Sequence, residues 1–329
     1  MTDHPFFSIG IPVFNGAKTI KNCLNTILSQ SFRDFVVLVV DDGSQDKTWE
    51  ILCEMSLHEP RLCAFRNSIN LGIGKTREII AERAVSSYLL WVDSDDFLEP
   101  ESLRRIHDYC VALSPTKKSV IIQNAYIQRK SGRKPLFRTA KKPIRLDPDE
   151  ALRRVVLNDG LGSYPWLFLV PTERAKAIRY PPRQVSFVDD QYASYRYLLG
   201  ADDVYFLRNL LGYCHTIDGP SDSHCRGFYG RLANTYRLLL KEEDPSFLRL
   251  KLLSKLQAYA EVYSAFDVCE NETHPKAKKV LASISITLRG LKREDPKLLR
   301  AVSFKMKLWI TCLRFWPNLF LTVYGGRGK

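Results

Sequence analysis

From its sixth residue the chain alternates short apolar runs with stretches whose apolar residues return every three or four positions. Residues 6–11 read as a strand, and residues 18–30 set Ile20, Cys23, Leu24, Ile27 and Leu28 on one helical face. Residues 35–40 form a continuous apolar run, the pattern of a strand covered on both faces, which stops at Asp41-Asp42-Gly43-Ser44. Ser44 or Asp46 is placed to cap a helix beginning near Thr48. The alternation then repeats: a strand at 62–65, a helix at 75–85, and a strand at 88–92 that again ends in acids, Asp93-Ser94-Asp95-Asp96.

Further on, the pattern predicts a helix at 101–113 and a strand at 120–128, then a basic stretch at 129–145 without strong periodicity, read as a loop or exposed hairpin. A helix is expected at 149–158, a turn-rich connection from Gly160 to Trp166, and a helix at 187–200 with Asp189 and Asp190 in its first turn, where the helix dipole favours anions. Beyond Phe228 the pattern is helical. Alternation of this kind implies an α/β fold with a mostly parallel sheet and helices on both faces. The 329 residues suit one large domain at 1–227, divided near residue 110, and a basic helical appendage at 228–329.

In such sheets the ligand crevice lies beyond the carboxyl ends of the strands. Pro12, Val13, Phe14 and Asn15, the pair Asp41-Asp42, and Asp93 to Asp96 all follow strands directly, so one crevice would collect them. Three carboxylates at one strand end repel one another, and a divalent cation such as Mg²⁺ or Mn²⁺, which takes oxygen ligands and substrate phosphates, removes that cost. The bland alternative is a solvated loop whose acids cap the following helix; a second acidic strand end at Asp41-Asp42 weighs against it. Gly72-Ile73-Gly74-Lys75-Thr76 lacks the earlier glycine of a P-loop and no GxGxxG follows the first strand, so phosphates must be held by metal and by basic side chains such as Arg77. His215 and His224, isolated about a polar turn, read as exposed residues, and Trp166 reads as a core aromatic before a sugar-stacking platform.

Charge and cysteines narrow the setting. The formal net charge of +13 favours a polyanionic partner, and after Asp295 the chain carries seven Lys and Arg residues and no acid. A basic nucleic-acid-binding protein is the competing class, but acids at strand ends would repel phosphate unless a metal intervened, so no nucleic acid is expected. Eight scattered cysteines without a CxxC pair read as reduced thiols, and the N-terminus lacks the sections of a signal peptide; both fit cytoplasmic exposure.

As a set, these motifs resemble the family 2 glycosyltransferases, the inverting GT-A family of bacterial polysaccharide assembly. The pieces occur in order: Ile9-Gly10-Ile11-Pro12-Val13-Phe14-Asn15, Ile27-Leu28-Ser29-Gln30-Ser31-Phe32, Val40-Asp41-Asp42-Gly43-Ser44-Gln45-Asp46, Asn70-Leu71-Gly72 with Arg77, and Trp91-Val92-Asp93-Ser94-Asp95-Asp96. The resemblance implies a GT-A fold, with residues 1–110 binding a nucleotide-sugar donor and 111–227 an acceptor. Pro12, Phe14 and Asn15 would line the nucleotide pocket, Asp41 or Asp42 would accept from the uracil N3–H of a UDP-sugar, and Arg77 would lie near base or phosphates. Asp93 and Ser94 would reach the ribose or metal, and Asp95, alone or with Asp96, would bind Mn²⁺ or Mg²⁺. More loosely, Trp166 and Val188-Asp189-Asp190 resemble the family's acceptor segment, with Asp190 in the position of the catalytic base.

Three departures stand out: Asp189 where the family has Glu, Glu78 where Asn is common, and Tyr213-Cys214-His215 where Tyr-x-Arg is common, which puts His215 forward as a phosphate or metal contact. The implied function is sugar transfer to a saccharide or lipid-linked acceptor in cell-surface polysaccharide synthesis; an inactive scaffold of the same family is the remaining alternative. Residues 308–324 are apolar and aromatic but broken by Arg314 and Pro317, and their basic neighbours suit a helix lying on an anionic leaflet or packed on the catalytic domain.

Overall fold

A computed structural model describes residues 4–116, 118–157, 160–182, 185, 188–217, 231 and 234–239. The chain divides into two compact units, residues 1–185 with 189–220, and residues 186–188 with 221–329. In the second unit residues 231 and 234–239 are helical; the rest of the expected helical region, with 308–324 and His224, lies outside the described residues.

The first unit is built on one mixed sheet. Its strands are β1 (Phe7–Val13), β2 (Phe35–Asp41), β3 (Leu62–Arg66), β4 (Tyr88–Trp91), β5 (Phe97–Leu98), β6 (Val120–Arg129), β7 (Gly132–Pro135), β8 (Ile144–Leu146), β9 (Phe168–Pro171) and β10 (Val204–Thr216). The order is β3-β2-β1-β4-β9-β6-β10-β5, with β7 added to β6 and β8 to β10. Parallel pairing runs through β3, β2, β1 and β4 and joins β6 to β10, while β9, β5, β7 and β8 run against their neighbours. The helices are α1 (Ile20–Leu28), α2 (Thr48–His58), α3 (Ile73–Arg83), α4 (Ser102–Leu113), α5 (Pro148–Leu157), α6 (Thr172–Lys176) and α7 (Asp189–Leu198).

Every residue of β1 is buried, as a central strand covered on both faces requires. Pro12 sits in that strand without breaking it. Val13 O accepts from Asp42 N–H on the β2 side and Gly10 O from Val92 N–H on the β4 side, so position 12 faces β4 beyond the last β1–β4 pair, where no partner needs its missing N–H. Gly10 makes room for a large neighbour: a Cβ there would lie 2.7 Å from the Trp91 ring and 2.9 Å from Ile80 of α3. Trp91 is buried, and its indole N–H donates to Tyr197 OH at 2.7 Å, tying β4 to α7.

Several features differ from the sequence expectation. The stretch 129–145, expected as a loop or exposed hairpin, begins as a hairpin in which β7 folds back on β6, and then adds a strand that was not expected, β8 against β10. The connection from Gly160 to Trp166 runs into a 3-10 turn at Pro165–Leu167 and then β9, which joins β4 to β6. β10 was unmarked because its pairing shifts register twice, between Leu207 and Leu210 and between Leu210 and Cys214, which destroys strict alternation. Among the described residues no helix is long and apolar enough to cross a membrane, and Cys23, Cys53, Cys63, Cys110 and Cys214 are free thiols.

Candidate functional site

The loops after β1 and β2 are fastened to each other by the motif residues themselves. Asn15 adopts a left-handed backbone (φ 52°), which asparagine tolerates better than most residues. Its N–H donates to Ser44 Oγ at 2.8 Å, and its Oδ1 accepts from Gln45 N–H at 2.9 Å. Asp46 accepts from Ala17 N–H at 3.1 Å and from Thr48 N–H at 3.0 Å, so it serves both the loop and the start of α2. Pro12 is buried beneath this knot and Phe14 stands out from it, 47% exposed.

The two adjacent acids do different things. Both oxygens of Asp42 are engaged: Oδ1 accepts from Leu71 N–H and Asn67 Nδ2, and Oδ2 from Gly72 N–H, each at 2.8 Å. That carboxylate holds the 67–72 loop against β2. Gly43 (φ 75°) lets the same loop pass, since a Cβ there would lie 2.9 Å from Ile69 backbone. Asp41 accepts from Ser44 N–H through Oδ1 at 2.9 Å, but its buried Oδ2 has no hydrogen-bond donor aligned on it, although Arg66 Nε lies 3.2 Å away. Of the two acids, only Asp41 has a carboxylate oxygen without an aligned hydrogen-bond donor, and that oxygen faces the part-exposed Arg66.

Beyond β4, Asp93 and Ser94 are half-buried, Asp95 is exposed and Asp96 is buried. Asp96 Oδ1 accepts from Thr216 N–H at 2.7 Å, while its Oδ2 meets Tyr213 OH at 2.6 Å and His215 Nδ1 at 2.9 Å. His215 is thus part of the acidic centre, not an exposed loop residue, because the unforeseen β10 carries it there. Asp93, Asp96 and His215 each offer a ligand atom, all within 4.8 Å of one another; Asp95 stands outside that group. Burial pushes the Asp93 carboxyl up to about 7, Asp96 and Asp190 adding to the effect and Arg77 and His215 opposing it. Burial works against a charged His215, but the hydrogen bond and charge of Asp96, with Asp93 and Asp95, raise its pKa above the usual value.

Arg77 of α3, 2% exposed, spans the acids: its guanidinium lies 2.8 Å from Asp190 Oδ1 and 3.7 Å from Asp93 Oδ1. Burial disfavours its charge, and the facing Asp190 and Asp93 outweigh that. The partner of α3 at its first turn is Asp189, which accepts from the Gly74 backbone; burial, with Asp190 beside it, holds the Asp189 carboxyl up at about 6 against the pull of Arg77. Gly74 is required by this contact, since a Cβ would lie 2.4 Å from Asp189 Oδ1 and 2.8 Å from the Tyr180 ring.

Trp166 is 2% exposed, its ring stacked at 4.7 Å on Tyr213, 5.0 Å on Tyr164 and 5.0 Å on His215. It is a core aromatic behind the site, as its composition suggested, and the ring at the surface of the stack is Tyr164, 38% exposed. The sequence assigns no role to Tyr164 or Tyr213; the signal for Tyr213 is its place in the Tyr213-Cys214-His215 run. Acids, an imidazole and a buried guanidinium gather at the strand ends; Asp93, Asp96 and His215 could hold a metal ion, and the part-exposed Asp190 lies beside them on Arg77.

The family model described as Glycosyl transferase family 2 matches residues 8–158. Chondroitin synthase of Escherichia coli is 38% identical over 99 residues, 30% of this chain and 14% of that protein. The poly(ribitol-phosphate) beta-N-acetylglucosaminyltransferase TarS of Staphylococcus aureus is 34% identical over 110 residues, 30% of this chain and 18% of that protein. The chain therefore spans less than a fifth of the length of either relative. Among solved structures, S. aureus TarS residues 1–349 in complex with UDP-GlcNAc superposes with a TM-score of 0.68 at 18% identity, covering 97% of this chain and 89% of that one. A mannosyltransferase from Pyrobaculum calidifontis in complex with GDP-Man and Mn²⁺ gives a TM-score of 0.53 at 14% identity, covering 98% and 88%. These likenesses show the GT-A fold.

Proposed function

Given that this chain is a family 2 glycosyltransferase over residues 8–158, we propose that it moves a sugar, with inversion, from a UDP-sugar to a hydroxyl of a saccharide or lipid-linked acceptor in cell-surface polysaccharide synthesis. The observation that carries this reading is the meeting of Asp93, Asp96 and His215 beside the Arg77–Asp190 pair at the strand ends. The TarS complex with UDP-GlcNAc supports the choice of a uridine donor, and the mannosyltransferase complex with Mn²⁺ supports a metal.

In this reading Asp41 Oδ2, which in the free protein faces Arg66, accepts from the uracil N3–H, Pro12 and Phe14 flank the base, and Asn15 and Asp42 hold the loops that shape the pocket. Asp93 and His215 would hold Mn²⁺ or Mg²⁺, with Asp95 and Ser94 on the same turn. Asp96, bonded to His215 Nδ1, is suited to orient the imidazole, as outer carboxylates do for metal-bound histidines. Oxygen and imidazole donors match such an ion, which when bound neutralises charge on the diphosphate. Asp190 takes the proton of the acceptor hydroxyl, whose oxygen bonds to the anomeric carbon as the bond to the diphosphate breaks, the electron pair leaving on phosphate oxygen. Arg77 fixes the Asp190 carboxylate, Asp189 anchors the base-bearing helix to α3, and Tyr164 offers the acceptor sugar a ring face.

Release of nucleotide from a panel of nucleotide sugars, with Mn²⁺ and with chelator, tests this. Metal-dependent release of UDP from a UDP-sugar is expected; no release from any donor would sink it. The net charge and the basic tail support peripheral attachment to the cytoplasmic leaflet. Co-sedimentation with anionic vesicles should be lost on truncation before Lys307, and equal binding by both proteins would remove the tail from that role.

A further inference from the structure

The hairpin and its return segment, residues 129–146, carry eight cations and no acid: Arg129, Lys130, Arg133, Lys134, Arg138, Lys141, Lys142 and Arg145. All eight are exposed. Arg133 pairs with Glu99 and Arg145 with Asp203, while the other six make no ion pair among the described residues. This concentration lies on the same unit as the acidic centre.

Register places the strip. At one end Arg133 pairs with Gln128, and Gln128 with Thr216, the neighbour of His215. The hairpin backbone is thus two strand spacings, roughly 10 Å, from the end of β10 that closes the acidic centre. The segment then crosses β6 and β10, with Leu136 N–H on Ala125 O and Ala140 N–H on Arg208 O, and ends with Arg145 opposite Tyr205 near the start of β10. Tyr205 and Thr216 bound a length of strand on the order of 30 Å. The cations follow a line that begins beside the candidate site and leads away from it.

We propose that this strip is a docking track for an anionic glycan chain, a polymer bearing carboxylates or phosphodiesters, whose terminal hydroxyl is thereby delivered to Asp190. The proposal rests on the sugar-transfer reading for the identity of the polymer as acceptor. A site whose own walls carry Asp93, Asp95, Asp96, Asp189 and Asp190 repels a polyanion, so cations outside it are needed to hold one. A membrane leaflet fits the strip less well. Interfacial segments present apolar side chains beside their charges, whereas here Leu136, Phe137 and Ile144 are half-buried and Leu146 is buried, Phe137 packing edge-on against Phe206 at 5.9 Å. A row of charges with no apolar anchor suits a flexible chain better than a surface.

The test uses the full chain and a variant with Lys130→Gln, Lys134→Gln, Arg138→Gln, Lys141→Gln and Lys142→Gln, which spares both paired arginines. Polygalacturonate is the anionic probe, dextran the neutral control, and phosphatidylglycerol vesicles the membrane arm; lysine acetylation footprints locate what binds. The expected result is polygalacturonate binding that protects Lys130, Lys134, Lys141 and Lys142, weakens tenfold or more in the variant, and is not matched by dextran. Equal affinity in parent and variant, protection confined to residues beyond 296, or protection of the strip by vesicles and not by polygalacturonate would overturn it. UDP binding with Mn²⁺ is measured on both proteins. Its absence from both would count against the transferase reading, whereas its retention with lost polymer binding isolates the strip.

Discussion

Asparagine substitution at Asp41 and at Asp42 should separate ligand binding from folding at two neighbouring positions. In Asp42→Asn one oxygen becomes an NH₂ group facing a backbone N–H. If Nδ2 replaces Oδ2, the Gly72 N–H bond at 2.8 Å is lost and two donors oppose each other; the flipped amide loses Leu71 N–H and Asn67 instead. With the site 4% exposed, water cannot readily repair this. The cost is about 2–4 kcal/mol, a fall in Tm of roughly 5–15 °C for a domain of this size. In Asp41→Asn the retained Oδ1 still accepts from Ser44; the new amide NH₂ loses the attraction of Arg66 and faces its Nε–H, but that side chain is 40% exposed and can turn to water, so the cost in the free protein is about 1 kcal/mol. The amide would then oppose the uracil N3–H, costing about 2–3 kcal/mol, or roughly 30- to 150-fold in Kd for UDP. Calorimetric titration with UDP and Mn²⁺ and thermal melts at pH 7.5 read both effects. Asp41→Asn with parental UDP affinity, or Asp42→Asn with parental Tm, would refute the division of labour.

Asp190→Asn should keep UDP binding and lower the transfer rate on the order of a hundredfold or more, as loss of a general base does; near-normal turnover in a coupled nucleotide-release assay would move the role elsewhere. Gly74→Ala should cost about 1–3 kcal/mol by thermal melt, because Asp189 and Tyr180 must both give way, and an unchanged Tm would mean they yield freely. For Asp189 the folded carboxyl sits at about 6, above its ordinary value mainly through burial, so the folded chain binds its proton more tightly and stability falls as pH rises from about 4 to 6. Asp189→Asn should therefore match the parent near pH 4 and exceed it by about 1–3 kcal/mol at pH 7.5 in denaturant melts; a constant difference across that range would remove burial as the cause.

Most of β1 to β4 and α1 to α3 was legible because a buried parallel strand is written as an apolar run and ends where its acids begin. Val36 to Val40 and Leu89 to Val92 have no polar residue to hide, and Asp41 and Asp93 mark where each chain leaves the sheet. The mostly parallel sheet and its crevice followed from that rhythm. The hairpin at 129–145 was half legible: Ser131-Gly132 allows the turn, but exposed β7 has no apolar face to set a period.

The site's partnerships were harder to read than its positions, and the reason is their span in sequence. Asp96 meets His215 across 119 residues and Arg77 meets Asp190 across 113, distances over which no local pattern carries information. Whether Asp41 or Asp42 keeps an oxygen without an aligned donor depends on where the N–H groups of Leu71 and Gly72 come to rest, about thirty residues later. His215 looked like a solvated loop residue because the register shifts of β10 erased the strand that carries it inward. Once β10 is in the sheet, its end must lie beside the turn after β4: Thr216 N–H donates to Asp96, and Tyr213 OH bonds both Asp96 and the Asp93 N–H. The irregular strand thus brings the imidazole and the phenol to acids whose place was plain from the outset, and the chemistry of the centre depends on that late arrival as much as on the acids.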